Sequence, residues 1–381
     1  MSRDHWTPEF LDAMRLVGDP PADAVVAELF AGGANVVHAV NYLMRDLVEN
    51  DDVPSGALPG HVRDYFAATP LPAWADPLRL HRGSELFHRY GPMVVMLLNL
   101  YSLPLTYAAK KGVQVLARTD RLHSNSKRRI VETAQMIIDV MAPGGLDPAS
   151  RGAGLRSAQK VRLMHATVRH LLGQDPTWDA DLGVPINQED LAGTLGAFSV
   201  AIIDGLQRLG VDLGAAEIDA YMHTWCVVGH VMGVREELLP TDHAAGLRLV
   251  AQIGERHFAA CPEGQMMTAA LLDMMTTLVP GAAFDAVPGQ LVRFFVGERV
   301  AQILALPDLP GPHGESPLVQ ALRALGHAGD VAGDRSGLVQ ALARRFSGSL
   351  LDGMMLVSRG GQRLPFNIPT ELRQVWGANW R

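Results

Sequence analysis

Apolar residues recur at intervals of three and four along most of this chain, as in 8–17, 22–48, 188–209, 215–232 and 338–356. This spacing brings the apolar side chains to one face of an α-helix, whereas a half-buried strand alternates at every second residue. The plentiful Ala, Leu and Met also favour packed helices over sheets. The sequence therefore predicts an all-α fold.

The helical pattern continues in the second quarter and the second half of the chain, at 128–141, 158–172, 243–260 and 266–278. Between the first two of these helices, Gly or Pro falls at nearly every second position of 142–154, which predicts a loop. No internal repeat of fixed period separates the chain into similar parts.

The chain shows no break between two self-contained patterns, so we predict a single helical domain spanning 1–381. Within it we expect an N-terminal wrapping segment at 1–79 and a central core at about 80–280. A C-terminal helical extension is expected at 281–381.

The longest uncharged stretch runs over 90–109 and is nominally long enough to span a bilayer. Asn99, Ser102 and Pro104 interrupt it, and polar groups of this kind are costly in lipid. We interpret the stretch as buried core and expect no membrane span.

Charge and cysteine content exclude several classes of protein. The formal charge of -7 comes with no basic stripe interleaved with aromatic residues, so nucleic acid is not an expected partner. Cys226 and Cys261 are too few for a disulfide framework, and the N-terminus lacks a secretory signal pattern, so we expect a cytoplasmic protein. Hydrolase, phosphate-loop, zinc-peptidase and dinucleotide-binding motifs are also absent from the sequence.

Arg162, His165 and Arg169 are spaced to share one face of the predicted helix at 158–172, whose remaining circumference is largely apolar. A buried imidazole needs a partner, and haem iron is one, because the flanking arginines can then meet the two propionates. The alternative is a core histidine that bonds a carbonyl group, beside two surface arginines. The spacing alone leaves both interpretations open.

The segment Val-Arg-Leu-Met-His-Ala-Thr-Val-Arg at 161–169 resembles the axial-histidine helix of the rubber oxygenase and MpaB oxygenase family of haem b proteins. Other segments resemble the same family in the same order, so the resemblance covers most of the chain. They are Arg-Gly at 82–83, Tyr-Ser-Leu-Pro at 101–104, Arg-Arg-Ile-Val-Glu-Thr-Ala-Gln at 128–135, Pro-Gly-Gly-Leu at 143–146, Pro-Ile-Asn-Gln-Glu-Asp-Leu at 185–191, Trp-Cys-Val-Val-Gly-His-Val-Met-Gly-Val at 225–234 and Arg-Leu-Pro-Phe-Asn-Ile-Pro at 363–369.

This resemblance implies a globin-like core at about 80–280 that holds haem b (iron protoporphyrin IX), with His165 as the iron ligand. The absence of a Cys-Xaa-Xaa-Cys-His motif agrees with a haem that is not covalently attached. Arg162 and Arg169 are expected at the propionates. His81, which adjoins Arg82, is a further candidate for a propionate contact or a distal group.

The rubber-cleaving members of this family line the opposite face of the haem with Arg, Lys and Thr from one helix. Arg129 and Thr133 match the first and the last, but Glu132 stands at the lysine position. A glutamate that those members carry one helix earlier has no match near 112–113. These departures argue against polyisoprene cleavage itself.

Chemically, Arg129 can stabilise negative charge on an oxygen atom and Glu132 can relay protons, so these residues and Thr133 are the candidate catalytic group. The alternative for Glu132 is an exposed residue paired with Arg128, four positions earlier on the same helix.

The expected function is that of a haem-dependent oxygenase that uses dioxygen on a hydrophobic small molecule, alkene-containing or aromatic. A non-oxygenase haem protein is the alternative: a haem carrier, a gas-binding protein, or an enzyme with dehydratase or peroxidase-like chemistry. A third interpretation is a helical binding protein without haem. The sequence leaves monomer and homodimer both open.

His223 and His230 also share a helical face, which suggests a metal site or a second axial ligand. No third ligand stands at helical spacing from them. We therefore predict that both histidines are core or wall residues.

Overall fold

The structure is a computed structural model, and it describes residues 6–31, 50, 59–67, 71–123, 126–278, 287–307, 358–359 and 362–363. For 120–123, 126–132, 277–278, 358–359 and 362–363 it describes the backbone alone. The described residues are predominantly helical, with one two-residue antiparallel pairing of β1 (Ser358–Arg359) with β2 (Gln362–Arg363). The predicted all-α fold is confirmed.

In chain order, the helices of the described residues are α1 (Pro8–Arg15), α2 (Pro20–Ala31), α3 (Gly60–Ala67), α4 (Pro77–Leu97), α5 (Leu103–Ala108), α6 (Val113–His123), α7 (Ser126–Met141), α8 (Gly154–Gly173), α9 (Gln188–Phe198), α10 (Val200–Arg208), α11 (Ala215–Val231), α12 (His243–His257), α13 (Pro262–Leu278) and α14 (Val287–Ile303). A π-helical turn, Leu98–Ser102, joins α4 to α5, and short 3-10 turns occupy Ala180–Leu182 and Glu236–Leu238.

The chain divides into two compact units, each built from three separate stretches. Unit one comprises Met1–His88, Glu132–Leu195 and Asp219–Leu249. Unit two comprises Arg89–Val131, Gly196–Ile218 and Val250–Arg381. The predicted single domain with a wrapping segment and an extension stays a prediction.

Within unit one, the helix that carries His165 packs against α2 and α3. Leu163 and Ala166 of α8 join one buried cluster, whose other members are Ala22, Val26, Leu29, Val62, Tyr65 and Phe66. The α2 members are spaced by four and three residues, so they form one face of that helix. This apolar contact fixes the rotation of α8 about its axis and thereby the direction of its polar face.

Within unit two, the π-helical turn is buried along its whole length. The Asn99 side chain donates to the Val95 carbonyl at 2.9 Å, and the Ser102 hydroxyl donates to the Ala197 carbonyl at 2.6 Å. Tyr101 stacks on Phe295, with ring centroids 5.7 Å apart. The polar residues of the uncharged stretch thus bond within the protein, as a core segment requires.

Among the described residues, one continuous helical stretch, Pro77–Ala108, is long and apolar enough to cross a membrane. Of its most apolar window, 83% is buried within the protein. Burial of this extent is typical of a core helix in a globular protein, so the stretch gives no support to a membrane span.

The structure departs from the predicted helices at three places. α3 was not predicted, because it lies between the Pro-containing stretches 54–60 and 70–77, which disfavour regular structure. α14 escaped prediction because it contains Pro288 in its first turn and a kink at Gly297, whose φ is 79°. The helix predicted at 188–209 is divided at Ser199, where φ and ψ are -107° and -73°.

Other predicted elements are confirmed or lie outside the described residues. The predicted loop at 142–154 consists of turns and bends up to residue 153, where α8 is about to begin. The predicted helix at 338–356 and the part of 22–48 beyond Ala31 lie outside the described residues.

Candidate functional site

His165 lies in the middle of α8 and is half-buried. Its Nδ1 atom is fully enclosed, and neither ring nitrogen has a hydrogen-bond partner among the described residues. Burial and the charge of Arg169 lower the pKa of His165 to about 4, while the charge of Asp19 acts in the opposite direction. The imidazole is therefore neutral at neutral pH, and neutral imidazole is the form that ligates metals.

Arg162 is held by a carboxylate from the start of α2. Its Nε and Nη2 atoms donate to the two oxygens of Asp19 at 2.6 and 2.8 Å, and Nη1 donates to the Val231 carbonyl at 3.2 Å. The Asp19 side chain is only 3% exposed, so this bidentate pair is nearly free of solvent screening. Gly233, with φ of 86°, lies so close to both partners that any side chain there would displace one of them.

Arg169 is held by a second carboxylate from α2. Its Nε donates to Asp23 at 2.7 Å, and its Nη1 donates to the Ile186 carbonyl at 2.9 Å. Nη2 is enclosed and has no partner among the described residues. One turn before and one turn after His165, the helix therefore presents an arginine that is already neutralised by an aspartate.

The two aspartates were not predicted as site residues. Gly18, Asp19 and the two prolines that follow fall in the gap between the helical patterns at 8–17 and 22–48. An Asp immediately before a Pro-Pro helix start is typical of a helix N-cap, and this signal marks the position of Asp19. The backbone N–H of Asp19 donates to Asp23 Oδ2 at 2.9 Å, which holds the Asp23 carboxylate against the start of the helix.

The predicted propionate contacts of Arg162 and Arg169 stay a prediction. Both guanidinium groups contact carboxylates of the chain itself, so a propionate would have to share or displace Asp19 or Asp23. His81 Nε2 lies 3.4 Å from the Glu85 carboxylate, and 65% of the His81 side chain is exposed. Its predicted contact with haem also stays a prediction.

The three candidate catalytic residues lie on α7, Arg129 within unit two and the other two within unit one. Thr133 is half-buried, and the side chains of Arg129 and Glu132 lie outside the described residues. The predicted roles of these residues in oxygen chemistry therefore stay predictions.

Within unit one, a buried polar contact connects α7 to the helix of His165. The Asp139 carboxylate accepts hydrogen bonds from Ser157 of α8 and from Gln135 of α7, the latter at 2.7 Å. Burial raises the pKa of Asp139, and the two hydrogen bonds oppose that rise. These bonds connect α7, the helix on which Thr133 also lies, to the helix that carries His165.

His223 and His230 are wall residues packed around Trp74. The indole lies edge-on to both imidazoles, with centroid separations of 5.7 and 5.9 Å. His223 Nε2 accepts a hydrogen bond from the backbone N–H of Asp76 at 2.9 Å.

Among the described residues no group of three or more His, Cys, Asp or Glu side chains is arranged to hold a metal ion. Haem differs from such a site, because the porphyrin supplies most of the iron ligands and one imidazole completes them.

His223 gives the protein a defined pH dependence. Burial, and to a lesser extent the charge of Arg79, lowers its pKa from 6.5 to about 4. Between these pH values the unfolded chain binds a proton that the folded protein excludes, so the free energy of unfolding falls as pH falls. We expect His223→Gln to reduce this slope, by up to about 1.4 kcal/mol per pH unit, in urea titrations at pH 4 to 6.5. An unchanged slope would contradict the assigned environment.

A cleft of about 660 Å³ opens beside Arg162 in unit one. Asp19, Gln188 and His230 line it, while His165 is not among the residues that do. A haem bound at His165 must reach that imidazole, so we do not assign this cleft as the haem site.

A family profile described as "ER-bound oxygenase mpaB/B'/Rubber oxygenase, catalytic domain" matches residues 86–328. The rubber oxygenase of Streptomyces sp. (strain K30) is 31% identical over 299 residues, which cover 77% of this chain and 72% of the relative. A solved structure of latex clearing protein in the closed state superposes with a TM-score of 0.75 at 28% identity, covering 93% of this chain and 94% of that one. The chain therefore belongs to the family of ER-bound MpaB/B′ oxygenases and rubber oxygenases.

Proposed function

We propose that the protein is a haem b-dependent oxygenase in which His165 would ligate the iron, acting with dioxygen on a hydrophobic small molecule. The observation that carries this proposal is the state of His165, a neutral imidazole with no hydrogen-bond partner among the described residues. Buried polar atoms are normally bonded, and because Nδ1 is enclosed, the other ring nitrogen, Nε2, is the one available to a ligand that arrives from outside the chain. Membership of an oxygenase family supports the same conclusion.

Bound haem supplies an iron centre that activates dioxygen, and the chain supplies the surroundings. His165 would hold the iron, and the packing of Leu163 and Ala166 fixes the orientation of the helix that carries it. Arg129 stabilises negative charge that develops on oxygen, and Glu132 holds or delivers a proton. Thr133, which is half-buried on the same helix, would orient the bound small molecule.

The substrate class we propose is a hydrophobic alkene-containing or aromatic small molecule. The rubber oxygenase of Streptomyces sp. (strain K30) is the relative from which the hydrophobic class is taken. Glu132 replaces the lysine of rubber-cleaving members, which reverses the charge at that position and argues against polyisoprene as the substrate.

We also propose a cytoplasmic site of action. Cys226 and Cys261 are both free and buried, which supports this location.

The first experiment is the ultraviolet-visible spectrum of the purified full chain, with a pyridine haemochrome assay of haem type and quantity. Near-stoichiometric haem b supports the proposal. If expression with added haem and direct haem addition both fail to give a Soret band, the proposal is wrong and His165 is a core histidine. Oxygen uptake with a panel of alkenes then separates an oxygenase from the second candidate.

That second candidate is a haem protein that is not an oxygenase, and Glu132 is the observation that favours it. A carboxylate at the lysine position suits proton transfer to a substrate or to peroxide, as in dehydratase or peroxidase-like chemistry. Haem binding without alkene-dependent oxygen uptake, but with turnover of peroxide, would favour this candidate. Haem that binds without any turnover would indicate a carrier or a gas-binding protein.

Arg129→Ala tests the predicted oxygen-facing helix. We expect alkene-dependent oxygen uptake to fall roughly 100-fold, as when one charge-stabilising donor is removed from an active site, with haem content unchanged. Arg128→Ala is the matched control, because adjacent residues of a helix point about 100° apart. Equal losses of haem and of turnover in Arg129→Ala would place that arginine at the propionates instead.

A further inference from the structure

Two enclosed ion pairs flank His165, and both receive their carboxylate from the start of α2. Asp19 pairs with Arg162 three residues before the histidine, and Asp23 pairs with Arg169 four residues after it. The two partners of the first pair are 3% and 12% exposed, and those of the second are 35% and 4% exposed. Each pair is neutral as a whole, so the two arginines that flank the imidazole add no net charge beside it.

Neutrality of these pairs matters because three of their four side chains are at most 12% exposed. A unit charge left uncompensated in a protein interior acts over several ångströms with far less screening than in bulk solvent. Arg162 and Arg169 lie one turn before and one turn after His165 on the same face of α8, so the charge of each pair lies close to the imidazole. Whatever changes the charge balance of these pairs therefore changes the energy of any charge at the imidazole.

The enclosed Nδ1 atom indicates how this influence is transmitted. In many metal sites the second nitrogen of a ligating histidine donates to a carboxylate, which makes the imidazole a stronger ligand. His165 Nδ1 has no such acceptor among the described residues, and both oxygens of Asp19 are already bonded to Arg162. The aspartates can thus act on the histidine through space and through the arginines, without a hydrogen bond of their own.

We propose that Asp19 and Asp23 are positioning residues that set the reduction potential of the iron bound at His165, by neutralising Arg162 and Arg169. The inference rests on the proposed function. It makes the start of α2 part of the site, although that helix belongs to the stretch predicted only to wrap the surface. Without the aspartates, the permanently charged guanidinium groups favour the ferrous state, which carries one positive charge fewer than the ferric state.

The test is a double-mutant cycle on the full haem-loaded chain, read as the ferric–ferrous midpoint potential by spectroelectrochemical titration. Asp19→Asn leaves Arg162 uncompensated, so the equilibrium should move about tenfold toward ferrous iron, a rise of about 59 mV for one electron. Arg162→Gln leaves Asp19 uncompensated and should move it about tenfold the other way. The double variant is neutral again and should return close to the parent.

Asp219→Asn is the matched control, because it removes the same charge from an exposed pair with Arg79. Its potential should stay that of the parent, since exposed charges are screened. The same cycle can be made on the second pair with Asp23→Asn and Arg169→Gln. It replaces the first cycle as the test if Asp19→Asn does not fold. The shift from Asp23→Asn should be smaller, because that carboxylate is 35% exposed.

The outcomes separate this inference from the proposed function. Opposite shifts in the two single variants, cancelled in the double, support the positioning role, since general loosening of the site would move both singles the same way. Haem that binds normally, with potentials that do not change or that shift in one direction only, overturns this inference alone. A chain that takes up no haem overturns the proposed function and this inference together.

Discussion

His165→Ala should abolish haem binding, so that protein purified after expression with added haem shows no Soret band. Loss of a residue that merely orients a metal ligand typically costs 10 to 100-fold in affinity, so loss of the ligand itself should cost more than roughly 100-fold. No other histidine is expected to take its place on α8, because His170 lies five residues on and stacks on Phe30 at 4.4 Å. Spectroscopic titration of the apoprotein with haem measures the change.

His170→Ala is the matched control for this variant. It removes an imidazole from the same helix, one that contacts Phe30 and Gln174 and takes no part in the proposed site. Haem content should remain that of the parent. Added imidazole should partly restore the Soret band of His165→Ala by entering the space left by the side chain. Retention of haem with an unaltered spectrum in His165→Ala would identify His165 as an ordinary core residue.

Local pattern was sufficient to predict the helix that carries His165 and the face on which it lies. The helix was predicted at 158–172 and is observed at Gly154–Gly173. Leu163 and Ala166 turn toward α2 and α3, while Arg162, His165 and Arg169 share another face, as a period of 3.6 requires. The predicted pattern holds here because tertiary packing and helix propensity favour the same structure.

The partners of the arginines could not be obtained in this way. Asp19 lies 143 residues from Arg162 along the chain, and Asp23 lies 146 residues from Arg169. Nothing in the spacing of either segment specifies that the two meet, because ion pairs between distant segments depend on how helices dock. The sequence therefore predicted that the two arginines contact haem propionates. The structure shows that both arginines already pair with carboxylates of the chain itself.

Irregular backbone was the other limit of sequence reasoning. The uncharged stretch was predicted only as buried core, whereas the structure shows that it contains a π-helical turn at Leu98–Ser102. A widened turn leaves no signal in apolar spacing, and it is stabilised by contacts such as the Ser102 bond to the Ala197 carbonyl. The break at Ser199 also leaves no signal in the sequence, because the residues on both sides continue the apolar period.

Gly154→Ala should lower the free energy of unfolding by about 3 kcal/mol, because the first residue of α8 has no room for a side chain. A Cβ atom there would lie 2.5 Å from the Gly145 carbonyl oxygen, 2.6 Å from the Asp139 carbonyl oxygen and 2.6 Å from Val140 Cα. All three are backbone atoms, so no side-chain rotation can relieve the overlap. Either the end of α7 or the start of α8 has to move.

Gly173→Ala, at the other end of the same helix, separates this overlap from the general effect of replacing glycine. Nothing lies within 4 Å of a Cβ atom added there, so alanine should be neutral or stabilise the helix by about 0.5 kcal/mol. Urea unfolding of the two variants measures the difference. Similar stabilities would show that the joint between α7 and α8 tolerates displacement. The expected loss would instead show that the backbone contact beside the Ser157–Asp139 hydrogen bond fixes the helix that carries His165.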